Sequence, residues 1–284
     1  MRKRCMAILL AVLVILSVTG CSGGGVKEDF GDVEEKTEEI QVFVAASLHR
    51  VMEELADMYH KEHPEVKITL NADSSGTLLA QIKEGYECDI FFSAAQKQMD
   101  ELAEEGLMQA GTRADVVNNR LVVVTRKDSG TRVKGIDSLA DAESIALAGG
   151  SVPAGKYTRQ ALVNLGTLFK VDDVSSITTE EVSYALGKVE ISEQDNVSKV
   201  LSAVLEGSCE VGTTYYSDIY GFEDELTILE TVSYDLTGDV TYPIARVVNE
   251  EADEAQSAAA DDFLKFILSD EAKAVFEAYY FDTE

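Results

Sequence analysis

The sequence predicts an α/β protein of two lobes, each a mixed, mostly parallel sheet flanked by helices. Three observations carry that reading. Short β-like apolar runs alternate with amphipathic helical stretches from residue 40 onward, the rhythm of parallel sheets with helical crossovers. The rhythm runs twice, closing first on Cys88-Asp89-Ile90-Phe91-Phe92-Ser93 and then on Cys209-Glu210-Val211-Gly212-Thr213-Thr214-Tyr215. The 284 residues are 45% hydrophobic with only 3 Pro, enough for one large or two medium cores.

Strands are expected at Ile40–Ala46, Val66–Ala72, Asp89–Ala94, Leu121–Arg126, Ser144–Ala148, Val189–Ser192, Glu210–Tyr215 and Val240–Val248. Helices are expected at Leu48–Glu62, Gly76–Glu84, Gln96–Glu105, Gly155–Leu168, Thr179–Leu186, Asn196–Leu205, Asp253–Leu268 and Asp270–Tyr279. The first helix shows the logic. Leu48, Val51, Met52, Leu55, Met58 and Tyr59 fall on one face of a 3.6-residue period. Ser47, at the strand-to-helix junction, reads as its N-cap. No long linker separates the two rounds. The apolar runs Leu121–Thr125 and Val240–Val248 are expected to cross between lobes. Residues 40–120 with 242–284 then form lobe 1, and residues 121–241 form lobe 2.

Residues 1–20 read as a processing signal. Arg2, Lys3 and Arg4 precede an apolar core, Met6–Val18, that is too short and too early for a membrane span. Val18-Thr19-Gly20-Cys21 resembles the lipobox of bacterial lipoproteins. That resemblance implies a lipid on Cys21 and an extracytoplasmic protein anchored to the cell membrane; the alternative is an ordinary secretory signal with a chance Cys. Residues 21–39 are Gly-rich, then acidic, and read as a disordered tether with a reach of roughly 25 Å.

The formal charge is −28, and loss of the leader's three basic residues takes it to −31. A chain so acidic is not expected to bind nucleic acid, whose phosphates it would repel. Of the 4 Cys, Cys5 leaves with the leader. Cys88 and Cys209 are expected to be free, buried thiols in different lobes rather than a disulfide. There is no CxxC and no metal-ligand spacing.

In open α/β sheets, ligands sit beyond the carboxyl ends of the strands. Five segments place small or hydroxyl residues there: Ala45-Ala46-Ser47, Asp73-Ser74-Ser75-Gly76-Thr77, Ser151-Val152-Pro153-Ala154-Gly155, Asp195-Asn196-Val197, and Tyr215 at a strand end. Read singly, Ser47 is a cap, the Ser-Ser-Gly-Thr run a turn, Asp195 an N-cap and Tyr215 a core residue. Together they offer many neutral donors and no obligatory cation. That suits a dehydrated oxyanion held by backbone N–H groups, hydroxyls and helix N-termini.

Ala45-Ala46-Ser47-Leu48, Ser74-Ser75-Gly76-Thr77-Leu78 with Gln81-Ile82, Asp89–Ala94, Val152-Pro153-Ala154-Gly155-Lys156-Tyr157, Asn196-Val197, Tyr215 with Asp218, and Tyr242-Pro243 resemble, in order, the molybdate-binding proteins of bacterial molybdate ABC transporters (the ModA family). The resemblance covers about residues 40–284, and VPAGxY after a Gly-rich turn is its most specific part. It implies a type II periplasmic-binding-protein fold, two lobes joined by two crossing strands, with tetrahedral molybdate or tungstate in the cleft between them. It implies as ligand contacts the hydroxyl and N–H of Ser47 and of Ser75, the N–H of Ala154, the N–H of Val197 and the phenol of Tyr215. These touch only oxyanion oxygens, so no direct metal ligand and no cofactor is expected. The expected partner is an ATPase-driven membrane permease, and the expected state is a monomer. Three departures stand out. Ala148-Gly149-Gly150-Ser151 replaces an Asp-Pro turn, Ala95 replaces an acidic residue, and residues 175–192 look like an insertion adding a helix and a strand.

Other readings compete. The same fold could take sulfate or phosphate. Fixed neutral donors measure size and protonation, so sulfate should be too small, and the proton of phosphate would meet no acceptor. Molybdate and tungstate, nearly equal in size, should hardly be separated. A serine hydrolase on Ser47 or Ser75 would need a base within reach. No GxSxG is present, and His49, His60 and His63 lie within or just after the Ser47 helix and are expected to point away from its start. The chain is therefore expected not to be an enzyme. A structural or adhesive lipoprotein would show no stabilisation by ligand.

Overall fold

The computed structural model describes residues 37–283. The leader, Cys21 and most of the tether expected from the sequence lie outside the described residues. The strands are β1 (Glu38–Ala45), β2 (Val66–Asp73), β3 (Ile90–Phe92), β4 (Ala114–Asn119), β5 (Leu121–Arg126), β6 (Ser144–Ala148), β7 (Glu190–Gln194), β8 (Val211–Tyr215), β9 (Leu226–Thr231) and β10 (Val240–Arg246). The helices are α1 (His49–Glu62), α2 (Ser75–Lys83), α3 (Gln96–Glu104), α4 (Pro153–Asn164), α5 (Thr179–Ala185), α6 (Val197–Leu205), α7 (Tyr234–Thr237), α8 (Glu254–Ile267) and α9 (Asp270–Ala278).

Two five-stranded sheets result, ordered β2-β1-β3-β10-β4 and β7-β6-β8-β5-β9. In each, three parallel strands are extended by antiparallel ones. Ile40, Val42 and Val44 of β1 are fully buried, as expected for a strand covered on both faces. Helices α1, α2, α3 and α8 cover the first sheet, and α4, α5 and α6 the second. The apolar stripe of α1 buries Val51, Met52, Leu55 and Tyr59, and Tyr59 meets Phe263 of α8 edge-on at 5.1 Å. Burying each such side chain contributes about 1.5–3 kcal/mol.

Register positions the site. Ala45 lies beside Asp73, and Val44 beside Phe92, so β1, β2 and β3 end together. In the second sheet Ala148 lies beside Gln194, and Ala146 beside Gly212, which brings the ends of β6, β7 and β8 together. Cys88 and Cys209 are free and buried, each beside a different sheet.

Several expectations change. The strand predicted at Leu121–Arg126 lies wholly in the second sheet and that from Val240 wholly in the first. The first crossing is β4 running through Arg120 into β5, and the second is the stretch 232–239 between β9 and β10. β4 and β9 escaped notice because Asp115, Asn118, Glu230 and Thr231 interrupt their apolar pattern. The tether stops short of residue 39. Glu38 opens β1, and Glu39 is held by Lys67 at 3.0 Å and by Thr69 at 2.7 Å. The residues from 175 to 192 do add a helix and the start of a strand, α5 and β7. Among the described residues no helix is long and apolar enough to cross a membrane.

Candidate functional site

Beyond β1 the chain makes a 3-10 turn, Ala46–Leu48, before α1 begins at His49. Ser47 therefore sits inside the turn and does not cap the helix. Its Oγ lies 2.9 Å from Tyr242 Oη, and that bond replaces the cap. Beyond β2, Ser74 is the N-cap of α2, accepting Thr77 N–H at 3.2 Å. Ser75, the first helical residue, is fully buried. Its Oγ accepts the N–H of Ala94 at 2.9 Å, which leaves the hydroxyl proton for another acceptor.

In lobe 2, α4 starts with Pro153 and carries no side-chain cap. Ala154 N–H thus has no intrahelical acceptor and no capping side chain. A Cβ on Gly155 would lie 2.1 Å from Gly149 O and 2.3 Å from Ala148 O. Only glycine lets the helix start this close to the end of β6. Arg159, fully buried, ties the same turn. Its Nη1 donates to Ala148 O and Gly155 O, each at 2.9 Å, its Nε to Ile177 O at 2.7 Å, and its Nη2 to Thr179 Oγ1 at 3.0 Å. Burial lowers the guanidinium pKa, and nearby Glu193 opposes that shift.

Asn196, rather than the expected Asp195, caps α6. Its Oδ1 accepts Lys199 N–H at 3.0 Å, and its Nδ2 reaches Asp73 Oδ1 in the other lobe at 2.9 Å. Asp195 pairs with Lys199 instead, at 2.5 Å. Val197 is the first residue of α6, so its N–H also has no intrahelical acceptor. Tyr215 ends β8 and is 1% exposed. Its Oη has no hydrogen-bond partner among the described residues; the Tyr242 phenol is near enough to act on it electrostatically without meeting hydrogen-bond geometry. Burial pushes its pKa well above the usual phenol value. A buried, unpartnered O–H is costly unless something is meant to receive it.

Ser47, Ser75, Ala154, Val197 and Tyr215 line one small, tightly closed cavity of about 10 Å³ between the sheet ends. Ala45, Ala46, Ser74, Ala94, Val152, Pro153 and Asn196 complete it, and none of the lining residues is charged. Larger hollows, about 640 Å³ beside Arg120 and Asp282 and about 670 Å³ beside Phe169 and Tyr184, gather no such set of donors. Sequence reasoning assigned no role to Asn119, and Tyr242 entered only as part of a motif. The lone polar aromatic in the apolar run of β10 was the signal for Tyr242.

A two-lobed α/β molecule that joins a small, neutral, donor-lined cavity to two sheet ends has the architecture of a solute-binding protein. The chain belongs to the bacterial extracellular solute-binding protein family, whose pattern matches residues 40–282; such proteins are components of transport. It is 30% identical to the molybdate-binding protein ModA of Haemophilus influenzae over 251 residues, 86% of this chain and 90% of that one. It is 31% identical to Escherichia coli ModA over 250 residues, 85% and 88% of the two chains. Among solved structures, the Azotobacter vinelandii periplasmic molybdate-binding protein superposes with a TM-score of 0.69 at 19% identity, covering 85% of this chain and 98% of that one, a likeness of fold.

Proposed function

We propose that the protein captures molybdate, and tungstate with it, between its lobes and delivers the anion to the permease of an ABC importer. Ser47 and Ser75 contribute hydroxyl and N–H, Ala154 and Val197 their N–H, and Tyr215 its phenol. The observation that carries this reading is the Tyr215 hydroxyl, buried without a hydrogen-bond partner among the described residues beside the uncapped start of α4, the first N–H groups of α6 and the hydroxyl of Ser75. Such a constellation can satisfy an acceptor-only dianion and little else. Sequence similarity to two ModA proteins supports the choice of anion. With the limits expected from the sequence moved to the observed strands, lobe 1 is then residues 38–119 with 240–283, lobe 2 is 121–231, and closure is a hinge motion where the chain crosses between sheets. The lipobox-like run ending at Cys21 supports a lipid anchor, with the protein acting as a monomer beside its permease.

Calorimetry and thermal shift with molybdate, tungstate, sulfate and phosphate test this. Molybdate at 100 times its Kd should add about 2.7 kcal/mol of stability. Ser47→Ala and Ser75→Ala should each weaken binding by about tenfold or more. Tight sulfate binding with no response to molybdate would overturn the reading. Membrane fractionation of the full chain against Cys21→Ala checks the anchor.

A further inference from the structure

We propose that Tyr242, held by Asn119, fixes the sense of the hydrogen bonds at the cavity and so decides which oxyanions it admits; this rests on the oxyanion reading above. The argument is one of proton direction. Asn119 Oδ1 accepts the backbone N–H of Arg120 at 2.8 Å and of Ser217 at 3.4 Å. Those two donors cannot turn round, so the amide oxygen is identified by its partners. Nδ2 then donates to Ser217 Oγ at 2.8 Å and to Tyr242 Oη at 3.2 Å. Of the two senses the Ser47–Tyr242 pair allows, the proposed relay takes the one in which Tyr242, already accepting from Asn119, gives its single proton to Ser47 Oγ, 2.9 Å away. Ser47 accepts on that side and turns its own proton to the cavity it lines.

A serine hydroxyl is ordinarily ambidextrous, able to rotate and accept. Here each serine has one lone pair taken inside the protein, which biases its proton toward the cavity. A backbone N–H does this for Ser75, and the Asn119–Tyr242 relay does it for Ser47. Asn119 is 1% and Tyr242 0% exposed, so solvent cannot replace either link. A fully deprotonated oxyanion satisfies every donor. Hydrogen phosphate or hydrogen arsenate brings an O–H that meets mostly donors, and sites of this kind discriminate strongly because the mismatch leaves buried groups unpaired. Tyr242 is thus a positioning residue for specificity, although it does not line the cavity.

The test measures Kd for molybdate, tungstate, sulfate, phosphate and arsenate in the wild type, Tyr242→Phe, Asn119→Ala and Ser47→Ala, with the ligand-free melting temperature of each. Tyr242→Phe should weaken molybdate by about tenfold while phosphate changes little or improves, so that the molybdate-to-phosphate ratio contracts. Asn119→Ala, which keeps the phenol and both serines, should contract the ratio in the same direction. In a Ser47→Ala background, Tyr242→Phe should contract it no further. A ratio unchanged in Tyr242→Phe, or a uniform loss for every anion that follows a lowered melting temperature, overturns the proposal. A wild type that takes sulfate and ignores molybdate would overturn the molybdate reading alone, and the sulfate-to-phosphate ratio then decides on the relay. A wild type that binds no oxyanion overturns both.

Discussion

Asp218 lies against the backbone of Tyr215, its Oδ2 accepting Tyr215 N–H at 3.0 Å and the Thr214 hydroxyl. Burial pushes its pKa up to about 6, while those two donors and the Arg50 guanidinium pull it down. A carboxyl raised from 3.8 in this way adds stability that is complete below the unfolded value and is lost as pH rises through about 6. Between pH 4 and pH 7 the ligand-free wild type should therefore lose roughly 3 kcal/mol more than Asp218→Asn, as read by urea unfolding at each pH; equal losses would show that Asp218 titrates normally. At this scale the cavity donors were legible because small and hydroxyl residues at strand ends are conspicuous in a sequence. Asn119 and Tyr242 were not. They meet across 123 residues, and their meaning lies in which atom donates, which no spacing shows. Ser47 is not a cap because a 3-10 turn intervenes before α1 and its hydroxyl meets Tyr242, and Asp195 is not because its neighbour Asn196 takes that role.

Helix α4 is the element on which lobe 2's contribution depends. Pro153 fixes its entry, Gly155 lets it approach β6, and Arg159 ties its first turn back to Ala148. Gly155→Ala would press a methyl against two carbonyl oxygens that cannot yield as a side-chain tip would. It should cost about 1–3 kcal/mol of stability and weaken anion binding, whereas Gly85→Ala, strained by its φ of +87° but away from the site, should lower stability and leave binding by the folded protein unchanged. Thermal melts and calorimetry on the pair check this. The need for glycine in VPAG was visible as a motif. Its cause, a carbonyl at 2.1 Å, belongs to the packing of α4 on β6. Helix faces with a 3.6-residue stripe were readable for the same reason α1 was, whereas β4 and β9, short and interrupted by polar residues, gave no period to count.

Across the whole molecule the two sheets meet through polar contacts around the cavity. Lys97 reaches Asp173 at 3.0 Å and Ser175 at 3.1 Å, Asn196 reaches Asp73, and Arg50 donates to Tyr220 O at 2.7 Å while lying 4.4 Å over Phe222. None of these lines up in sequence, so the repeated strand-helix rhythm revealed two lobes but not the contacts between them. The formal charge of −28 repels a dianion at long range, and salt screens that repulsion beyond about 8 Å. Stopped-flow association with molybdate should therefore quicken as ionic strength rises, and a rate that falls steeply with salt would contradict the reading. Inside the cavity, fixed donors in a low dielectric act at a range that salt does not reach.

Strand β7, five residues at the margin of the second sheet, has a consequence for how copies of this protein behave together. A bare sheet margin invites the margin of another molecule to pair with it. β7 is short and exposes the carboxylates of Glu190 and Glu193, so two such margins brought together would oppose like charges. Pairing of two copies through this margin is therefore disfavoured.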